Sequence, residues 1–448
     1  MKSFTFNRQL LLIMFMLLNC FTSYASDDNL ITKQTIVNLT EAGTLQNKIA
    51  YSEKYLITNL KIIGEINGTD LCLIRDMAGS YVTGEKTPGK LSILDLSETK
   101  IVEGGDYYYT DYFEDEDKQY TKNDTLGNWT FAWCKSLTTV IIPTSIAAIG
   151  RGTFYYCSNL ATIDIPSNVT EIGSSAFVNC SSLKSMNIPS SVKSIGGSAF
   201  YGCNNLTSIN IPLGITEIEF HTFSECSSLT SIDIPSSVTK IGEGAFAGCS
   251  GLKSVEIPSG VTVIGRQTFE DCYNLTSVNI PYGVTNIKTY AFKGCKALKD
   301  INIPFSVNSI EGYTFADCSS LTSVNIPIDF YFLGPSAFEN CTELTSIYMY
   351  STEFLTIGFI GEDAFKGCNA NNCTVYVPKG TLDAYSKSKF NYFKNIVEFE
   401  ATSINKTTSN GVKEISRYNS NGQQLTTPTK GINIIKYSDG SIRKVIVK

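Results

Sequence analysis

The stretch Ala245–Gly265, AFAGCSGLKSVEIPSGVTVIG, carries one cysteine, Cys249, lying 23 residues after Cys226 and 23 before Cys272. The step runs on in both directions. Ten cysteines share it, from Cys134 to Cys341. A phenylalanine stands three residues before each, Phe131 to Phe338, and a leucine three residues after each, Leu137 to Leu344. Nine prolines, Pro143 to Pro327, keep the same period. The unit reads F-x-x-C-x-x-L-x-x-[IVM]-x-I-P-x-x-[VI]-x-x-I-G-x-x-[AT]-F. A fixed period of this length marks a stack of repeated supersecondary units and outweighs any local signal.

Each part of the unit has a physical role. L-x-x-I-x-I alternates apolar and polar residues near its end, which predicts a short strand with one buried face. Proline lacks an N–H, so the hydrogen-bond ladder stops there. V-x-x-I-G is expected to turn the chain back, and A-F-x-x-C to form a tight helical or 3₁₀ turn that closes the coil. No single unit can bury its own Leu, Ile, Val and Phe; stacked copies cover one another.

With those motifs in place, the unit resembles the BspA-like (Treponema-type) leucine-rich repeat of bacterial surface proteins, L-x-x-I-x-I-P…I-G…A-F-x-x-C, over about Trp129 to Cys368. The resemblance implies an α/β solenoid: a right-handed leucine-rich repeat superhelix with parallel strands on its concave face. It also implies adhesion, to host matrix proteins, epithelium or other bacteria.

Around this array (129–368) the chain divides into further segments. Residues 1–25 read as a signal peptide: Lys2 and Arg8, the apolar run Leu10–Leu18, then Ser23-Tyr24-Ala25 as a cleavage site. Lipidation at Cys20 is the minority alternative, because Asn19 is not the small residue that a lipobox needs. Residues 26–128 read as an N-terminal cap. ITNLKIIGEINGTDLCLIRDM and GKLSILDLSETKI are degenerate repeats within it, and the acidic insert Asp106–Tyr120 is expected to be a solvated loop. Residues 369–400 should close the array with one more strand and a helical segment. After the polar linker 401–410, residues 411–448 predict a small all-β module with NG and DG turns. That module resembles a type IX secretion sorting domain, through Y-N-x-x-G, P-x-K-G-I and K-V-I-V-K. Without the sorting role it is a plain β-cap.

Composition narrows the function. With 448 residues, 42% hydrophobic, and a net charge of −6, the chain has no basic run suited to nucleic acid. The ladder cysteines are solitary and the chain has a single histidine, so zinc clusters are not expected. Stacked cysteines would lie about 4.8 Å apart with parallel Cβ vectors, a poor geometry for bridging, so they read as packing slots. Cys368 and Cys373, outside the register, are better disulfide candidates, while Cys72 has no obvious partner. His221 reads as a surface residue in a variable slot. No catalytic motif is present, and the Asp233–Glu256 carboxylate pair reads as part of a solvated row. The chain is expected to be neither an enzyme nor a carrier of a cofactor or metal.

The candidate site is the outward row of the strands. It comprises Asp164, Asn187, Asn210, Asp233, Glu256, Asn279, Asn302 and Asn325, ending in Tyr348 and Tyr350, with Phe330, Tyr331 and Phe332 in the turn before. A serine or threonine stripe runs beside it, from Thr162 to Ser323. This row is either a self-satisfying side-chain ladder or a docking face. The expected function is that of an exported, monomeric surface protein that binds an extracellular protein without catalysis. It would be secreted or held at the outer membrane of a Gram-negative bacterium, with no transmembrane segment. The alternative is a glycan-binding or nutrient-capture protein, and a structural surface-layer role is a third reading.

Overall fold

The computed structural model describes residues 29–111, 114–328, 330–351, 359–399, 414–419, 424–425, 427–437 and 442–447. The signal peptide with Cys20, the linker 401–410 and both C-terminal turn signals lie outside the described residues.

The expected strand forms in most coils and stacks in parallel on its neighbour at the repeat step. Thr139 pairs with Thr162, Val140 with Ile163, and Ile141 with Asp164; further along, Glu256 pairs with Asn279. Alternation sets the faces: Ile163 is buried while Thr162 and Asp164 are exposed. The degenerate N-terminal repeats belong to the same sheet. Strands Thr35–Asn38, Asn59–Ile66 and Ile93–Ile101 precede Thr139–Ile141 in unbroken parallel order.

Two local expectations are corrected. The V-x-x-I-G segment does not merely turn; it forms a second row of two-residue parallel strands, such as Ala148–Ile149, Glu171–Ile172 and Ser194–Ile195. The glycine that ends each of them lies against the preceding coil. A Cβ on Gly173 would stand 2.7 Å from the Arg151 nitrogen and the Gly150 carbonyl carbon, so no side chain fits.

The A-F-x-x-C segment, in turn, is not helical. Two positions in each turn are left-handed. One is held by Ser175, Ser198, His221, Gln267 and Tyr290, the other by Tyr156, Asn179, Glu225, Asp271 and Asn340, with glycine in several remaining coils. Left-handed residues interrupt a right-handed helix. The backbone therefore divides its bonds: some cross coils, as in Phe177 N–H to the Ala199 carbonyl at 2.8 Å and Phe246 N–H to the Thr268 carbonyl at 3.0 Å, and others close tight turns within the segment, as in Cys180 N–H to the Phe177 carbonyl at 3.1 Å. The α part of the expected α/β solenoid is thereby confined to the caps.

The core is a set of ladders. Phe154 through Phe338 stack ring on ring, with centroid separations from 5.2 to 5.7 Å. Hydrogen-bonded strands are about 4.7–4.9 Å apart. The phenylalanine rings thus follow the strand step, with centroids somewhat further apart than hydrogen-bonded strands.

All thirteen described cysteines are free. From Cys157 to Cys341 each ladder thiol donates to a phenylalanine carbonyl 26 residues earlier, for example Cys180 Sγ to the Phe154 carbonyl at 3.1 Å. Cys368 is not a disulfide partner of Cys373: it occupies the same slot and donates to the Phe338 carbonyl at 3.1 Å. The longer last coil keeps the packing and shifts only the count.

The caps close both ends. At the N-terminus, helix Gly68–Met77 begins with a capping box of Asn67 and Asp70, and its Arg75 is fully buried. The acidic insert is an antiparallel hairpin, Gly104–Asp111 with Glu114–Thr121, rather than a loop. Its Tyr108 and Tyr109 are buried, which anchors it to the cap. At the C-terminus two strands rather than one extend the sheet, Thr374–Pro378 and Asn395–Phe399, joined by the short helix Leu382–Ser386. Phe390 and Phe393 pack on Phe365 at 5.5 and 5.3 Å, ending the phenylalanine ladder. The predicted β-rich C-terminal module is a four-stranded antiparallel sheet.

Candidate ligand-binding face

The predicted row falls where alternation puts it. Asp164, Asn187, Asn210, Asp233, Glu256, Asn279 and Asn302 are exposed, and Asn325, Tyr348 and Tyr350 are half-buried. Parallel register keeps them in one line, as with Asn325 opposite Tyr348. Asn210 is spent on structure: its amide donates to the Ile188 carbonyl and its oxygen accepts the Ile188 N–H, both at 2.8 Å. The other members from Asp164 to Asn325 make no side-chain hydrogen bond and no ion pair within the described residues. A self-satisfying asparagine ladder is therefore not formed. The row presents unspent amides and the unpaired carboxylates of Asp164, Asp233 and Glu256. The hydroxyl stripe beside it is partly linked, with Thr139 and Thr162 Oγ1 atoms 3.0 Å apart.

At the C-terminal end the face changes character. Tyr348 stacks on Tyr376 with centroids 4.6 Å apart and planes 11° apart. Phe399 stands edge-on to Tyr348 at 6.4 Å and to Tyr350 at 5.9 Å, and Phe305 meets Tyr350 at 5.5 Å. Tyr376, Phe399 and Phe305 escaped the sequence reading. The signal for Tyr376 was present, since V-Y-V in CTVYVP repeats the alternation of I-Y-M, but 28 residues rather than 23 separate it from Tyr348.

The preceding aromatics do not join this cluster. Phe330 is buried, while Phe332 sits in the second row of strands and stacks on Phe359 at 5.4 Å.

His221 departs from its expected surface position. It is half-buried in a left-handed slot, edge-on to Tyr201 and Phe220, and its Nδ1 has no hydrogen-bond partner. No carboxylate or hydroxyl hydrogen-bonds to it, so the geometry of a general base is missing. Burial pushes the Cys249 thiol up to about 12 and Cys134 to about 11, the reverse of an activated nucleophile.

A parallel-strand solenoid with stacked Phe and Cys ladders and a continuous polar strand face defines a leucine-rich repeat protein. Residues 117–230, 216–345 and 309–438 match the family described as BspA type leucine rich repeat region, and the chain belongs to that family. Among solved structures, it is similar to a leucine-rich repeat protein from Bacteroides ovatus, with 24% identity over 63% of this chain and 89% of that one, and a TM-score of 0.37. A leucine rich cell surface protein from Faecalibacterium prausnitzii is 26% identical over 62% of this chain and 84% of that one, with a TM-score of 0.35. The T. pallidum leucine rich repeat protein is 31% identical over 42% of this chain and 75% of that one, with a TM-score of 0.29. No curated protein matches the chain in sequence. Among the described residues no helix is long and apolar enough to cross a membrane.

Proposed function

We propose that this protein is exported, displayed at the bacterial surface as a monomer, and binds an extracellular protein through its concave strand face. It acts as an adhesin-like docking module without catalysis and without a cofactor. The observation that carries the reading is the line of polar side chains from Asp164 to Asn325, which, Asn210 apart, spend none of their hydrogen-bonding capacity among the described residues. Such groups are available to a partner at no internal loss. Membership in a surface-type repeat family and the apolar leader with its cleavage motif fit export. The C-terminal module is suited to a sorting role in that export.

The test is a binding screen of the chain from Ser26 onward against extracellular-matrix and epithelial surface proteins. It is followed by the triple variant Asp233→Ala, Glu256→Ala, Asn279→Ala. Loss of binding with an unchanged melting curve supports the face as the docking surface; full retention of binding by the variant rules it out.

A further inference from the structure

The geometry points to a carbohydrate subsite at the C-terminal end of the concave face, seating one neutral sugar ring against Tyr348. It does not depend on the protein-docking role proposed for the rest of the row.

A pyranose has an apolar C–H face bordered by hydroxyls. A site for it needs a flat aromatic surface with amide or hydroxyl groups along the edge. Tyr348 supplies the surface. One side of its ring is backed by Tyr376 at 4.6 Å in nearly parallel planes, and Phe399 meets it edge-on. Such pairing fixes ring orientation before a ligand arrives. The other side looks back along the row to Asn325, its partner in strand register, and to Asn302 one coil further on. Each of these amides offers two donors and an acceptor, and neither is hydrogen-bonded within the described residues. The strand positions alongside, Ser323, Ser346, Thr374 and Asn395, are uncharged. The nearby carboxylate of Asp300 is engaged by Thr322 Oγ1 at 3.2 Å. With Asp300 still negative beside these uncharged strand positions, the surface suits a neutral saccharide rather than an anion.

End-capping does not account for the stack. Phe365, Phe390, Phe393 and Tyr385 close the core and are buried, whereas Tyr348 and Tyr376 lie on the outward side of the sheet and stay partly exposed.

The test uses the full exported chain on an array of neutral hexose- and N-acetylhexosamine-containing oligosaccharides. Titration calorimetry with the best binder in free form follows. Tyr348→Ala and Tyr376→Ala are expected to weaken binding about tenfold or more, and Tyr348→Phe, which keeps the ring, to stay within about threefold. Asn325→Ala, which leaves the stack intact, is expected to weaken binding severalfold and covers the case in which a tyrosine variant fails to fold. The triple variant at Asp233, Glu256 and Asn279 should bind the sugar like the parent, so the fates of the two proposals separate. Absence of binding to every saccharide on the array overturns the subsite. So does sugar binding that a folded Tyr348→Ala or Asn325→Ala leaves unchanged, or a Tyr348→Ala effect confined to a protein ligand.

Discussion

Cys249 Sγ donates to the carbonyl of Phe223 at 3.1 Å, deep in the core and one coil away. The residue that first suggests a reactive thiol or a bridge is thus a packing slot whose thiol adds a second hydrogen bond to a carbonyl that already accepts from Cys226 N–H at 3.2 Å. Burial raises the thiol from its ordinary 9.0 to about 12, and Cys203 likewise to about 12. Alkylation of the native protein should leave the ladder cysteines unmodified, and denaturation without reductant should release them as free thiols. Rapid native labelling, or a thiol count near zero after denaturation, contradicts this.

The same shift fixes a pH dependence. The folded thiols stay protonated while those of the unfolded chain ionise near 9, so the folded state loses ground as pH rises from 9 toward 12. Each buried thiol contributes a slope of roughly 1.4 kcal/mol per pH unit in that window and nothing below it. Urea midpoints measured between pH 8 and 11 should fall steeply, and Cys249→Ala should flatten the fall by one thiol's share. At pH 7 the same variant costs about 1–2 kcal/mol in lost packing and hydrogen bonding.

Left-handed positions bear on stability in both directions. Glu225 sits at φ 61° in a slot that Gly202, Gly248 and Gly294 fill elsewhere. Glu225→Gly should raise stability by up to about 1 kcal/mol, by relieving the strain of a side chain in that conformation. Gly173→Ala should act the other way, costing about 3 kcal/mol, because its Cβ meets the backbone of the preceding coil. Thermal melts of the two variants decide both signs.

The N-terminal cap hangs on Arg75. Its guanidinium is fully buried and donates to the carbonyls of Trp129, Thr130 and Tyr81, each at 2.9 Å, which ties the cap helix to the first full coil. Arg75→Met removes every donor and leaves the Thr130 carbonyl unpaired among the described residues, while those of Trp129 and Tyr81 keep their turn bonds from Ala132 and Gly84 N–H, at a cost of about 2 kcal/mol. Hydrogen exchange should show the cap opening ahead of the array in that variant.

How far these features can be read in the sequence follows from their chemistry. The Phe, Cys, Leu and Pro positions are chemically narrow, so their period is plain, and alternation alone places Asp164 to Tyr348 on the outward side. The second strand row is two residues long, too short to show alternation. The left-handed slots accept Gly, Asn and Asp but also Trp133, Glu225 and His221, so no residue type gives them away. In the acidic insert the charges of Asp106–Tyr120 conceal the buried run Tyr108, Tyr109 and Thr110, which shows no alternation. Tyr376 was hidden by the lengthened coil before it, and with it the aromatic stack at the end of the face.

The central claim is that the strand face is where a ligand sits. Hydrogen exchange of the full chain, with and without a protein partner from the binding screen, tests it most directly. A ligand seated on that face gives new protection concentrated on the exposed strand segments from Thr162–Asp164 through Ser346–Met349, with the outer turns around Tyr156, Asn179 and Glu225 unchanged. Protection confined to those turns, with the strand face exchanging as in the free protein, would contradict it.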